Sequence, residues 1–211
     1  MRAVLLGAGG HARSVLEAIR SAGELELVGC TDPRPELAGG ELDGLAVLGD
    51  DSALDGLREQ GVEAACIGLG GAGDNRPRAD LYARARELGF ELPAVVHAAA
   101  VIASTAGLGA GSVVLAGAVL GPGVRVGEDV IVNTGAIVEH DCALGAHAHI
   151  ATGARLAGEV GIGEGAHVGL GALILGGLEV GERAVVGAGA TVIRAVEPET
   201  TVAGTPAEPL S

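Results

Sequence analysis

The chain contains no lysine and no tryptophan, and it has one phenylalanine, one tyrosine and one methionine among 211 residues. With so few aromatics, any large core has to be assembled from aliphatic side chains and alanine. All 13 basic residues are therefore Arg; they face 27 acidic residues, for a formal net charge of −14. That balance argues against a nucleic-acid partner and against an anionic membrane surface. The N-terminus has no apolar run long enough for a signal peptide or a membrane span. Cys30, Cys66 and Cys142 are odd in number and fall on apparent strands and a small inward slot. They read as buried reduced thiols, which points to the cytosol.

What the chain does contain is a strict period. From Val96 to Val192 every sixth residue is Val, Ile or Leu, at 17 positions without exception. These three types occupy about one position in three there, so chance gives such a series on the order of once in 10^8. A second column follows four residues later and holds small or aliphatic residues, as at Ala136, Cys142, Ala148, Ala154 and Ala166. Period six fits neither the 3.6 of a helix nor a meander with two-residue turns. It fits short strands coiled into a parallel β-helix, three hexads to an 18-residue turn, each turn buried only by its neighbours. Gly is frequent directly after the aliphatic, as at Gly109, Gly121 and Gly145. It reads as the corner residue that supplies unusual backbone angles.

The first 95 residues lack this period. Apolar runs at Ala3–Leu6, Leu25–Cys30, Leu45–Leu48 and Ala64–Gly68 read as strands. A stretch carrying Val15, Leu16 and Ile19, then 51–60 and 76–88, read as helices. This alternation predicts a parallel sheet in a small Rossmann-like α/β domain over residues 1–95, with the β-helix over 96–211. The first loop, Gly7-Ala8-Gly9-Gly10-His11-Ala12, matches G-x-G-x-x-A, and Asp32 lies 25 positions after Gly7. Such glycines bring backbone amides close to a phosphate at a helix N-terminus, and the acid accepts from a ribose hydroxyl. The domain spans about half a full dinucleotide fold, which argues against hydride chemistry.

Together these parts resemble the hexapeptide-repeat sugar acetyltransferases, which act on nucleotide-linked amino sugars, and the similar sialic acid O-acetyltransferases. The resemblance rests on Gly7–Ala12, Asn133–Asp141 (NTGAIVEHD), His149 and the closing Gly204-Thr205-Pro206-Ala207. It implies a left-handed β-helix, a homotrimer with active sites between subunits, acetyl-CoA as co-substrate and no metal. It further implies that His140 is the general base, with Asp141 as its orienting acid; Glu139 flanks the pair as an alternative partner. His149 matches the residue at the thioester carbonyl, and His167 holds the equivalent slot one coil later. Leu170 and Ala188 match backbone positions along the pantetheine. Gly9, Gly10 and His11 match the loop that meets the sugar nucleotide, Asp32 its base or ribose, and Gly68 the closing wall.

The chain departs from the family pattern at Glu208, where Lys or Arg is common, and at Val96-His97-Ala98, where His-Pro is usual. Any electrostatic grip on CoA phosphates is left to Arg125, Arg155, Arg183 or Arg194. Two other chemistries share the β-helix. One is zinc-dependent hydration of the γ-carbonic anhydrase type, for which His140, His147, His149 and His167 offer imidazoles. The other is O-acetylation of a sialic-acid-type sugar, which needs the same base.

Overall fold

A computed structural model describes residues 1–210. The N-terminal part carries β1 (Arg2–Leu6), α1 (Gly10–Ala22), β2 (Glu26–Thr31), β3 (Glu41–Leu42), β4 (Leu45–Ala46), α2 (Leu54–Glu59), β5 (Ala64–Ile67) and α3 (Arg76–Glu87). β2, β1 and β5 form a parallel sheet in that order, with β1 central and almost wholly buried. This is the α/β arrangement the alternating pattern predicts.

Two local expectations change. The run Leu45–Leu48 is not a full parallel strand, because Leu45–Ala46 pairs antiparallel with Glu41–Leu42. Asp43 and Gly44 between them both have positive φ, 47° and 82°. Asp-Gly is the sequence that favours a two-residue hairpin turn of this kind. The chain meets the main sheet just beyond this hairpin, through a parallel bridge of Val47 to Cys30 and a hydrogen bond from Leu48 N to Cys30 O at 2.8 Å. The stretch 51–60 starts as a 3-10 turn, Asp51–Ala53, capped by the Asp50 carboxylate, which accepts from Ser52 N.

From Val95 onward the chain is a parallel β-solenoid of about six turns. Strands of two residues pair with those 18 residues away, as Val119 does with Val101 and Ile137. Three sheets result. The first face carries Val113–Val114, Ile131–Val132, His149–Ile150, His167–Val168 and Val185–Val186. The second carries Val101–Ile102, Val119–Leu120, Ile137–Val138, Arg155–Leu156 and Leu173–Ile174. The third runs from Gly107–Leu108 to Glu179–Val180. Hexad aliphatics from Val114 on and the small residues four positions later, such as Ala136, Cys142 and Ala154, form one buried ladder core. Successive coils so cover one another's apolar interior without any aromatic side chain.

The glycines divide into two columns with different tasks. Those directly after the aliphatic are not the left-handed corner. At Gly145 an added Cβ would meet the backbone of the next coil, with Glu164 N at 2.6 Å; at Gly169 it would lie 2.5 Å from Val186 O. This column is small because stacked corners touch. Positive φ falls two residues later, at Gly135 and Gly153 for example, and also at the non-glycine residues Asp129, Asp141 and His147. Asp, like Asn and Gly, tolerates that region better than most residues.

The N-terminal domain sits on the first face. Val95, Val113 and Leu115 join Leu16 and Ile19 of α1 in one apolar cluster, and Asn75 donates to the carbonyls of Gly165 and Ala166. Among the described residues no helix is long and apolar enough to cross a membrane. Cys30, Cys66 and Cys142 are buried free thiols.

Candidate active site

Gly7, with φ +109°, turns the chain out of β1, and its N–H donates to Thr31 O at 2.8 Å. α1 then begins behind Gly9 with no side-chain cap. Its first amides are consequently available to an anion, reinforced by the positive end of the helix dipole. Gly9, Gly10, His11, Asp32 and Gly68 all line one cavity of about 600 Å³. A Cβ on Gly68 would come within 2.9 Å of Ala12 Cβ and 3.0 Å of Leu6 O, so glycine is needed for this close approach.

Asp32 is 6% exposed. Its carboxylate accepts from Ala8 N at 2.8 Å and from Arg34 N, Nε and Nη2 at 3.1, 2.7 and 2.9 Å. The Arg34 guanidinium, with those amides, holds its carboxyl down at about 2. Asp32 thus shapes the loop and carries Arg34 into the cavity, where Arg84 of α3 joins it. Neither arginine was singled out from the sequence. The Asp32-x-Arg34 spacing was the available signal for the first; the second needed α3 to be placed.

His140 lies at the corner between the second and third faces, after Ile137–Val138 and before Ala143–Leu144. Its Nδ1 is 3.0 Å from Asp141 Oδ2. A carboxylate only accepts, so Nδ1 is the donor, and in the neutral ring of that tautomer Nε2 offers a lone pair. Asp141 reaches back to its neighbour because it takes the left-handed slot, φ 59°. Two glycines on adjoining coils make room for the pair. A Cβ on Gly123 would lie 2.5 Å from Asp141 Oδ1, and one on Gly158 would lie 2.4 Å from both Cε1 and Nε2 of His140.

His149 sits under the loop that follows β5. Its Nδ1 donates to Gly71 O at 3.0 Å, and Asn133 Nδ2 donates to its Nε2 at 3.1 Å. Asn133 Oδ1 in turn accepts from Thr134 N at 2.8 Å. This chain of donors fixes the neutral tautomer and commits both ring nitrogens. His167 stacks edge-on against the ring, centroids 4.8 Å apart. Leu170 and Ala188 are exposed on successive coils past the same face, the Gly189 N–H donating to Leu170 O. His147 is held by Asp129. Among the described residues no three His, Cys, Asp or Glu side chains converge as a metal-ligand set.

Burial lowers His149 to about 3, aided by His167, and lowers His11 to about 4, aided by Arg78. Both lie below the ordinary 6.5, so they leave stability untouched above it and reduce it as pH falls from 6.5 toward 4, where the unfolded chain binds protons the fold refuses. His147, raised by its hydrogen bond to Asp129, acts in the window above 6.5 instead. Thermal unfolding should therefore show stability falling by up to about 1.4 kcal/mol per pH unit for each imidazole below pH 6.5. His149→Gln should flatten the slope; a level profile between pH 7.5 and 5 would refute the assignment.

In a single chain the cavity and His140 are kept apart. The cavity is lined entirely from residues 7–84 and the domain bearing it covers the first face, whereas His140 occupies the far corner. The second face meanwhile exposes apolar side chains: Val101 is 61% exposed and Leu173 43%, with Leu175 at 51% beside them.

Comparison with known proteins agrees with this architecture. The PglD N-terminal domain family matches residues 2–85. The structure of PerB from Caulobacter crescentus, in complex with CoA and GDP-perosamine, is 38% identical with a TM-score of 0.93, over 100% of this chain and 98% of that one. The acetyltransferase domain of PglB from Neisseria gonorrhoeae, in complex with acetyl coenzyme A, is 37% identical with a TM-score of 0.92, over 99% and 98%. WeeI from Acinetobacter baumannii is 27% identical, with a TM-score of 0.87 over 100% of both chains. A search of functionally curated proteins returns no match. With acetyltransferases and a CoA-bound protein among relatives that match nearly its whole length, the chain is an acyltransferase. The chain belongs to the hexapeptide-repeat sugar N-acetyltransferase family.

Proposed function

We propose that the chain transfers the acetyl group of acetyl-CoA to the amine of a nucleotide-linked amino sugar, with His140 as general base. The observation that carries this reading is the His140 ring itself. Asp141 holds one nitrogen, and the other lies against Gly158 on a half-exposed ring, where the neutral tautomer offers a lone pair. The sugar amine attacks the thioester carbonyl carbon while Nε2 takes a proton from it. Asp141 stabilises the resulting imidazolium. Collapse of the tetrahedral adduct breaks the C–S bond, and the imidazolium returns its proton to the departing CoA sulfur.

The nucleotide is assigned to the 600 Å³ cavity, its phosphates at the Gly9-Gly10-His11 end of α1 and its base or ribose toward Asp32 and Arg34. Acetyl-CoA is assigned to His149, Leu170 and Ala188. Donation from His149 to the thioester oxygen requires it to exchange a bond, because its Nδ1 hydrogen is held by Gly71. Since cavity and base lie on different sides of one prism, the site closes between neighbouring subunits. The exposed apolar row on the second face supports such packing in a trimer. A cytoplasmic location fits a need for acetyl-CoA and three free thiols.

The relatives bound to CoA, GDP-perosamine or acetyl coenzyme A indicate the substrates to try first. A thiol-release assay with acetyl-CoA should show turnover on GDP-perosamine or another nucleotide-linked amino sugar. Turnover on free sialic acid alone would replace amine with hydroxyl acceptor. No thiol release from any acceptor, despite CoA binding, would refute the reading.

A further inference from the structure

Arg78 takes no part in that chemistry, yet it is 1% exposed and heads the largest fully buried side chains. It stands on α3, whose Pro77, Asp80, Leu81 and Arg84 line the acceptor cavity. A guanidinium has five N–H groups; here four hydrogen bonds run to backbone carbonyls, and the remaining contact is an ion pair. Nε is 3.4 Å from Asp129 O. Nη1 donates to Ile67 O at 2.8 Å and to Leu69 O at 2.7 Å, and Nη2 donates to Gly111 O at 3.2 Å. Nη2 also pairs with Asp129 Oδ1 at 2.8 Å.

The acceptors belong to two bodies. Ile67 and Leu69 flank Gly68 in the cavity wall. Gly111 and Asp129 are equivalent corners of successive solenoid coils, both with positive φ. Asp129 is 0% exposed, and its other oxygen accepts from His147 Nδ1 at 3.0 Å. Later turns of α3 reinforce the joint: Tyr82 Oη and Arg86 Nη1 reach Glu128 Oε2 at 3.1 and 2.9 Å. The Tyr82 ring lies over Gly111, where a Cβ would sit 2.5 Å from a ring carbon. A buried ion pair of this kind loses much of its attraction to desolvation, and it is better suited to specifying one geometry than to adding stability.

We infer that Arg78 is a positioning residue that fixes the acceptor cavity in register with the solenoid, by clamping the carbonyls on both sides of Gly68 to two coil corners. The inference rests on the assignment of that cavity to the acceptor. Lysine keeps the charge but cannot direct five donors from a planar fork.

The test compares the full-length parent with Arg78→Lys. Hydrogen exchange should become about tenfold faster in the segment 67–71, with the coils from 131 to 192 unchanged. With GDP-perosamine as acceptor, its KM should rise about tenfold while the KM for acetyl-CoA stays within about twofold. Parent-like exchange at 67–71 in a folded variant overturns the inference, as does acceleration spread evenly over the solenoid. If Arg78→Lys does not fold, Asp129→Asn, which keeps the shape and removes the countercharge, carries the same readouts. Failure of both to fold would reduce Arg78 to a folding element and also overturn it. If the parent leaves GDP-perosamine unacetylated, that acceptor is wrong, whereas the exchange measurement still decides the role of Arg78.

Discussion

Replacing His140 with Ala or Asn should lower kcat by about 10²- to 10⁴-fold and leave substrate affinity nearly unchanged. The imidazole is half exposed at a solenoid corner, with a side-chain exposure of 53%, and among the described residues its one side-chain hydrogen bond is to Asp141. Its loss therefore removes little packing, and the solenoid should melt as the parent does. Steady-state kinetics with circular dichroism checks both halves. Near-normal turnover by a folded His140→Ala enzyme would remove His140 as the base. Asp141→Asn should cost less, roughly tenfold, because an amide oxygen can still accept from Nδ1 but no longer offsets the imidazolium charge. Asn also keeps the left-handed backbone. Full activity in that variant would redirect attention to Glu139.

Gly158→Ala should be nearly as damaging without touching a polar group. The new methyl would sit 2.4 Å from His140 Cε1 and Nε2, a separation no pair of carbons tolerates, so the ring must swing away. A displacement of about 1 Å in a reacting group can cost on the order of 10²-fold in rate. The backbone at Gly158 is not in the left-handed region, so Ala itself is unstrained there and stability should hold. Gly107→Ala serves as the control, since a Cβ there meets nothing within 4 Å and activity should stay at the parent level. Equal activity of the two variants would mean that the position of the ring over Gly158 is irrelevant to turnover.

The two repeating glycine columns of the solenoid show where sequence reading stops. Both columns, one and three residues after the aliphatic, are visible as letters. Their tasks are not, because one is set by the neighbouring coil's backbone and the other by local φ. The Asp43-Gly44 dipeptide itself signals a hairpin, but the run Leu45–Leu48 after it reads just as well as a parallel strand. His140 and Asp141 are adjacent in sequence, yet Glu139 is just as near. Only the positive φ at Asp141, with the space left by Gly123, turns that carboxylate onto the ring.

The sequence by itself determined the solenoid, its 18-residue coil, the preceding α/β domain and the loop that begins α1. These follow from spacing along the chain, and a repeat that buries itself only against its neighbours writes its geometry into its period. Tertiary structure alone decided that His149 has both nitrogens committed, that Asp32 is held by Arg34, and that Arg78 joins cavity wall to solenoid. It also put the cavity beside the Gly7–Ala12 loop and His140 on different sides of one prism. The contacts of His149 and Arg78 link residues as far as 78 and 51 positions apart. No local pattern encodes them, because they arise only when one folded domain is laid against another.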